Sequence, residues 1–256
     1  MSSIFSLKDK NVLITGGYGY LGKAICEGLQ AEGAKVWVLG RSKEKFEQAF
    51  QNTSQVFFEA LDISDTQSIK TAFANVHRET TRIDVLINNA FYSQGQNPET
   101  MTDDDWATGV DGSLNSVYRC IREIIPYFKK QGHGKIINVS SMYGLVSPDF
   151  EVYANNRFLN PPHYGAAKAG VLQMTRYFAC YLGKENILVN AVTPGAFPSK
   201  EVQKNEDFIN DLSAKTPLGR IGKPEELQGA FVFLASDASS YMTGQNIVID
   251  GGWTAW

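Results

Sequence analysis

The stretch Val12-Leu-Ile-Thr-Gly-Gly-Tyr-Gly-Tyr-Leu-Gly-Lys-Ala-Ile-Cys-Glu-Gly-Leu-Gln-Ala-Glu-Gly-Ala-Lys-Val-Trp-Val-Leu39 decides how this chain is read. Val12–Thr15 is a short apolar run of the kind a buried strand requires. A cluster of glycines follows, and then a helical pattern from about Leu21 to Glu32, stopped by Gly33. Lys35–Leu39 reads as the next strand. Glycines let a turn adopt positive φ and let a ligand approach the backbone closely. The helix that follows presents unpaired N–H groups and the positive end of its dipole, which suits a diphosphate. Gly16, Tyr18, Gly19, Tyr20, Leu21 and Gly22 are therefore candidate dinucleotide contacts, with an ordinary tight turn as the plainer alternative.

Working outward, the same alternation continues. Apolar runs at Val56–Leu61, Val85–Asn88, Lys135–Val139, Ile187–Val192 and Asn246–Asp250 read as strands three to seven. Helical patterns separate them, notably Trp106–Lys130 and Tyr164–Leu182. Strands alternating with helices predict an α/β Rossmann fold: one seven-stranded parallel sheet with helices on both faces. No linker, repeat or low-complexity segment interrupts residues 1–256, so one domain is the economical reading. In such sheets ligands bind beyond the carboxyl ends of the strands. The glycine turn and Ser141, just after the fifth strand, both fall there.

The chain has 256 residues, 43% of them hydrophobic, and a formal net charge of -3. This balance argues against a nucleic-acid surface, which is usually basic. Cys26, Cys120 and Cys180 are scattered and odd in number, as expected of reduced core thiols and not of a disulfide framework. The three histidines are equally dispersed, so no metal site is expected. The polar start lacks the form of a secretion signal, and no apolar run is long enough to span a bilayer. The cytoplasm is the expected location.

Tyr164-Gly-Ala-Ala-Lys168 carries the clearest chemistry. Residues four apart share one helix face, so a phenol and an ammonium can line one pocket. A phenol with a pKa near ~10 is a poor acid–base group at neutral pH. A nearby cation favours the phenolate. A shift of about 3 units needs about 4 kcal/mol, a task Lys168 and a cationic nicotinamide ring can share. With Ser141 to hydrogen-bond a substrate oxygen, the trio suits carbonyl/alcohol redox chemistry. Alone, a Tyr-x-x-x-Lys pair is weak, since a surface helix with a snorkelling lysine looks the same.

The second strand ends in Gly40-Arg41-Ser42, where an NAD site usually carries an acidic residue for the ribose. A guanidinium suits the extra phosphate of NADP. NADP(H) is therefore favoured over NAD(H), with Arg41 and Ser42 as contacts; a solvated surface arginine is the alternative.

With these pieces assembled, the chain resembles the compact branch of the short-chain dehydrogenases/reductases over nearly its full length. The resemblance rests on the glycine turn, Leu61-Asp62-Ile63, Asn88-Asn89-Ala90, Ser141, Tyr164 to Lys168, Asn190-Ala-Val-Thr-Pro-Gly195, and Thr243-Gly-Gln with Asp250-Gly-Gly252. It implies Asp62 and Ile63 near adenine, Asn89 and Ala90 near a ribose, and Pro194, Gly195, Phe197 and Ser199 around the nicotinamide. It implies that Ser141 binds the substrate oxygen, Tyr164 shuttles the proton, and Lys168 holds the ribose and tunes Tyr164. It also implies a homotetramer or homodimer, built through the long helices and the C-terminal segment.

Four departures stand out. Tyr20 occupies a usual glycine position, which requires its ring to point away from the phosphates or stack over the cofactor. Phe91 replaces the glycine of Asn-Asn-Ala-Gly and is expected to crowd the nicotinamide pocket or touch substrate. Counting seven residues from Trp106 reaches Ser113 in place of the Asn that, by the resemblance, helps hold a proton-relay water; Ser113 is a candidate catalytic residue that holds the water by its hydroxyl, or else the relay differs. Asn115, two residues on, faces elsewhere on a regular helix. Finally, the span from Ser141 to Tyr164 is longer than usual, and the excess falls in a Pro- and Asn-rich insert at about 148–162. It either roofs the substrate pocket or makes a solvated excursion. Asn155, Asn156, Arg157 and His163 are candidate contacts for a polyhydroxylated or anionic substrate. Tyr153 is a rival phenol, without a lysine four residues on.

Within the family the likeness is greatest to the flagellin-modification (PtmA-like) group, through Ser140-Ser-Met-Tyr-Gly144, the insert, Ala235–Gly244 and Asp250–Trp256. Trp253 and Trp256 either join a subunit contact or anchor in the core. The reading is an NADP-dependent oxidoreductase acting on a secondary alcohol or ketone of a sugar-like acid or nucleotide-linked sugar, in nonulosonic-acid or surface-glycan biosynthesis. The alternatives are a 3-oxoacyl thioester reductase and a non-catalytic cofactor-binding sensor.

Overall fold

The computed structural model describes residues 3–51, 53–154 and 159–255. Seven strands form one parallel sheet: β1 (Asn11–Thr15), β2 (Lys35–Gly40), β3 (Val56–Ala60), β4 (Val85–Asn88), β5 (Gly134–Val139), β6 (Ile187–Pro194) and β7 (Asn246–Ile249). Their order is β3-β2-β1-β4-β5-β6-β7, and every neighbouring pair is parallel. The fold is the Rossmann-like α/β arrangement expected, and all seven strands lie within two residues of their expected ends. The order reverses between β1 and β4, which opens a crevice at their carboxyl ends.

The strands are apolar on both faces because helices cover both. On one face α3 (Thr66–Thr80), α5 (Ser116–Gln131) and α6 (Pro162–Leu182) pack Phe73, Ile121, Phe128, Val171 and Leu182 against Leu13, Leu86 and Ile136. On the other, α1 (Tyr20–Ala31) and α8 (Gln228–Ala235) pack Ile25, Leu29, Phe231 and Leu234 against Val12, Ile14, Val38 and Ile137. Between β2 and β3 lies α2 (Lys43–Ala49), and after β6 comes α7 (Glu206–Ala214).

A third, smaller cluster joins Tyr143, Val152, Tyr153, Ala196, Phe208, Leu212 and Trp253. Trp253 is thus a core anchor, while Trp256 lies outside the described residues. Cys26 and Cys120 are buried thiols, and burial pushes the Cys120 thiol up to about 12. Cys180 corrects the expectation of three core thiols: it faces outward on α6.

The helix expected over Trp106–Lys130 is three pieces. Helix α4 (Asp103–Val110) opens with a capping box between Thr102 and Asp105. A π-helical turn at Asp111–Asn115 follows, and then α5. The extra residue of a π turn rotates what comes before relative to what comes after. Among the described residues no helix is long and apolar enough to cross a membrane.

Candidate active site

A cleft of about 580 Å³ runs along the carboxyl ends of the strands. One end is the glycine turn. Gly16 has φ +66, and a Cβ there would stand 3.0 Å from Ala90 Cβ. A Cβ on Gly22 would meet the Gly16 carbonyl oxygen at 2.4 Å, so α1 can approach the turn only because residue 22 is glycine. Gly19 caps α1 without a side-chain hydrogen bond, leaving the first N–H groups open to the cleft. These features fit a diphosphate.

Loops β1 and β4 are stitched together around this end. The Thr15 hydroxyl accepts from the backbone N–H groups of Asn89 and Ala90, both at 3.0 Å. Asn89 Nδ2 donates to the carbonyls of Thr15 and Gly16 at 3.0 and 3.2 Å. Asn89 therefore holds the glycine turn in place while lining the cleft. Gly40 leaves room for Tyr18, whose hydroxyl accepts from the N–H groups of Arg41 and Ser42 at 3.2 and 3.4 Å.

Gly16, Tyr18, Gly19, Tyr20, Leu21, Gly22, Arg41, Asp62, Ile63, Asn89, Ala90, Phe91, Ser141, Tyr164, Lys168, Pro194, Gly195, Phe197 and Ser199 all line the cleft. Ser42 does not; its side chain caps α2 by accepting from Lys45 N–H. Lys45 itself does line the cleft, beside Arg41, and sequence reasoning passed over it. Its place three residues beyond a Ser N-cap was the signal available. Tyr92 was also missed.

At the other end, Pro161 and Pro162 start α6, so Tyr164 lies in its first turn and Lys168 one turn further. The phenol is hydrogen-bonded to Ser141. Lys168 Nζ is buried and donates to the Val139 carbonyl at 2.9 Å. It stands 5.5 Å from the centre of the Phe91 ring and 5.6 Å from that of Tyr164. Those two rings are 5.6 Å apart.

The electrostatics correct one expectation. Burial raises the Tyr164 phenol above its ordinary value, and the Ser141 hydrogen bond only partly opposes it. The Lys168 ammonium lies over the ring face, and burial draws its own pKa down to about 8.

Other expectations fare differently. His163 is fully buried and does not line the cleft. Its Nε2 lies 2.9 Å from the Gln94 carbonyl, and Trp106 meets it edge-on, so no face is left for a substrate. Asn155, Asn156 and Arg157 lie outside the described residues. The described part of the insert does not roof the cleft: Val152 and Tyr153 sink into the third cluster, while Pro148 and Phe150 line a separate hollow of about 430 Å³. Tyr153 pairs with Tyr143, hydroxyl to hydroxyl, at 2.8 Å. Ser113 sits in the π turn, fully buried, with no hydrogen-bond partner for its hydroxyl among the described residues and no place in the cleft lining. Asn115 is exposed and donates to Asp111 at 3.0 Å, so the irregular helix does not bring it inward.

Comparisons with known proteins agree with this geometry. The family profile described as enoyl-(acyl carrier protein) reductase matches residues 20–254. The chain is 37% identical to the 3-oxoacyl-(acyl-carrier-protein) reductase FabG of Thermotoga maritima, over 96% of this chain and 98% of that one. Among solved structures it resembles a short-chain dehydrogenase from Leptospira borgpetersenii with bound NAD+, at 33% identity and a TM-score of 0.88, covering 98% and 95% of the two chains. It also resembles a gluconate 5-dehydrogenase from Burkholderia cenocepacia in complex with NADP and tartrate, at 27% identity and a TM-score of 0.88, covering 98% of each. With a Rossmann-like sheet, a glycine turn opening on its crevice and a Ser–Tyr–Lys group at the far end, this chain belongs to the short-chain dehydrogenase/reductase family and is an oxidoreductase acting on CH–OH groups.

Proposed function

We propose that the chain is an NADP-dependent oxidoreductase that interconverts a secondary alcohol and a ketone on a sugar-like acid or nucleotide-linked sugar. The observation that carries the redox chemistry is the gathering of Ser141, Tyr164 and Lys168 at one end of a cleft whose other end fits a diphosphate. The nicotinamide, when bound, supplies or accepts the hydride. Ser141 orients the substrate oxygen. Tyr164, kept neutral by burial, is ready to give its proton to that oxygen during reduction. The reverse direction needs a phenolate, which the N-terminus of α6 favours. Lys168 binds the ribose and brings positive charge to the phenol's side of the cleft. At the adenosine end Arg41 and Lys45 present two cations for a 2′-phosphate.

The sugar-acid class is supported by the similarity to the gluconate 5-dehydrogenase. Reduction of a 3-oxoacyl thioester is the second reading, favoured by the similarity to the Thermotoga reductase. The likeness to the flagellin-modification group, and with it surface-glycan biosynthesis, rests on the sequence segments alone. The chain works as one domain in a cytoplasmic homodimer or homotetramer, an assembly to which the exposed Tyr118, Tyr177 and Tyr181 of the long helices are suited.

The test is turnover with NADPH and NADH against a polyhydroxylated keto acid and an acetoacetyl thioester. The expected result is reduction of the keto acid, with NADPH preferred. Arg41→Ala then lowers efficiency with NADPH by about tenfold and leaves NADH unaffected. Turnover of the thioester alone establishes the second reading. Equal efficiency with both cofactors, unchanged in Arg41→Ala, removes the NADP assignment.

A further inference from the structure

Tyr20 closes the glycine turn at the start of α1, and its hydroxyl reaches a residue from the far side of the sheet. The side chain is half-buried and lines the cleft wall. Its hydroxyl accepts a hydrogen bond from Gln203 Nε2 at 2.9 Å. The same amide donates to the Pro198 carbonyl, also at 2.9 Å, so Gln203 is fixed from two directions. Gln203 belongs to the 3-10 turn Val202–Lys204, and its N–H bonds the carbonyl of the cleft residue Ser199 at 3.0 Å.

The topology shows what this bond spans. Tyr20 is the first residue of α1, just beyond the end of β1. Gln203 follows the end of β6. Strands β4 and β5 lie between β1 and β6 in the sheet. The bond therefore runs from one wall of the crevice to the other, beside the open N-terminus of α1.

We propose that Tyr20 and Gln203 form a strap over the mouth of the cleft, and that it opens to let the dinucleotide in and out. The inference rests on the reading of the cleft as a dinucleotide site. Both partners in the bond are protein groups, so breaking it removes no contact to the dinucleotide through those atoms. An interaction made equally before and after binding changes the passage and leaves the affinity alone. The strap thus sets exchange rates, and release steps of this kind govern turnover in many enzymes.

The experiment is stopped-flow NADPH fluorescence on the full chain, with an equilibrium titration beside it. Tyr20→Phe keeps the ring and removes only the bond; Gln203→Ala removes it from the other side. Each substitution is expected to speed both entry and release roughly three- to tenfold, with Kd changed less than about twofold. The double variant is expected to be no faster than the faster single one, since both delete one interaction. Unchanged rates in Tyr20→Phe overturn the strap. So does faster release alone with a matching rise in Kd, which marks a direct binding contact. If the unaltered chain binds neither NADPH nor NADH, the dinucleotide reading falls and takes the strap with it.

Discussion

Two polar clusters reach one cleft, the first through Tyr92 and the second through Ser141, Tyr164 and Lys168, and the protein treats them in opposite ways. In the first, Tyr92, Asp111 and Arg119 satisfy one another. Arg119 grips the Asp111 carboxylate through both terminal nitrogens, at 3.1 and 2.5 Å, and the Tyr92 hydroxyl donates to the same carboxylate. Burial pushes the Asp111 carboxyl up, but the hydrogen bonds from Arg119, Tyr92 and Asn115 outweigh it and hold it at about 2. Burial and the Asp111 contact push Tyr92 up to about 12. In the second cluster, Lys168 is buried without a carboxylate among the described residues, and burial brings its pKa down to about 8. Pairing drives ionisable groups away from neutrality and makes them inert. Isolation brings one close to working pH, which is where acid–base chemistry needs it.

Tyr164→Phe tests this contrast most severely. It is expected to cut turnover by about 10³-fold while cofactor affinity changes little, because the phenol oxygen moves the proton and the ring keeps its packing. Turnover near that of the unaltered chain would remove Tyr164 from the mechanism.

Lys168→Met is expected to lower kcat/KM by about 100-fold, within the range of general acid–base effects. In the unaltered chain kcat/KM should decline as pH rises through about 8, where Lys168 loses its proton. Stability runs the other way. Burial holds the folded-state value near 8, below the ordinary 10.5. Between those limits the unfolded chain binds more protons, so stability rises with pH, and below pH 8 the buried charge is a net burden. Met removes that burden but also the bond to Val139. Thermal unfolding at pH 7 is expected to show the variant more stable by about 2 kcal/mol, with the gain shrinking toward pH 10.5. A variant less stable at pH 7 would mean the charge is better solvated than its burial implies.

Asp111→Asn has the smallest expected effect on activity, within about threefold, and a clear one on stability. Its folded-state value lies near 2 against an ordinary 3.8, so the paired carboxylate stabilises the fold above pH 3.8. That contribution is lost as pH falls toward 2. The variant should be about 2 kcal/mol less stable at pH 7 by denaturant titration, with the deficit closing in acid. If its activity fell as far as that of Lys168→Met, the division of labour between the two clusters would be wrong.

The contrast between the clusters also explains what was legible in the sequence. Tyr164 and Lys168 are four residues apart on one helix, so their shared face follows from helical geometry. Asp111 and Arg119 are eight residues apart and meet across the π turn at Asp111–Asn115, and no local pattern announces such a turn. His163 drew attention as a polar residue beside Tyr164, yet it faces inward, where a Cβ on Gly109 would strike its ring at 2.3 Å. The insert read as a loop by composition, either a roof or a solvated excursion, but in its described part Val152 and Tyr153 found apolar partners in Phe208 and Leu212, and burial decided their place.

Spacing along the chain by itself determined the seven strands, the glycine turn and the Tyr–Lys pair, because these depend on backbone geometry over a few residues. Only the tertiary structure decided that Lys168 lacks a counter-ion and the buried Ser113 hydroxyl a partner among the described residues, and that Tyr20 reaches Gln203, 183 residues away. Desolvation and hydrogen bonding depend on which distant segments share a volume, and that is set by how the sheet is ordered and covered.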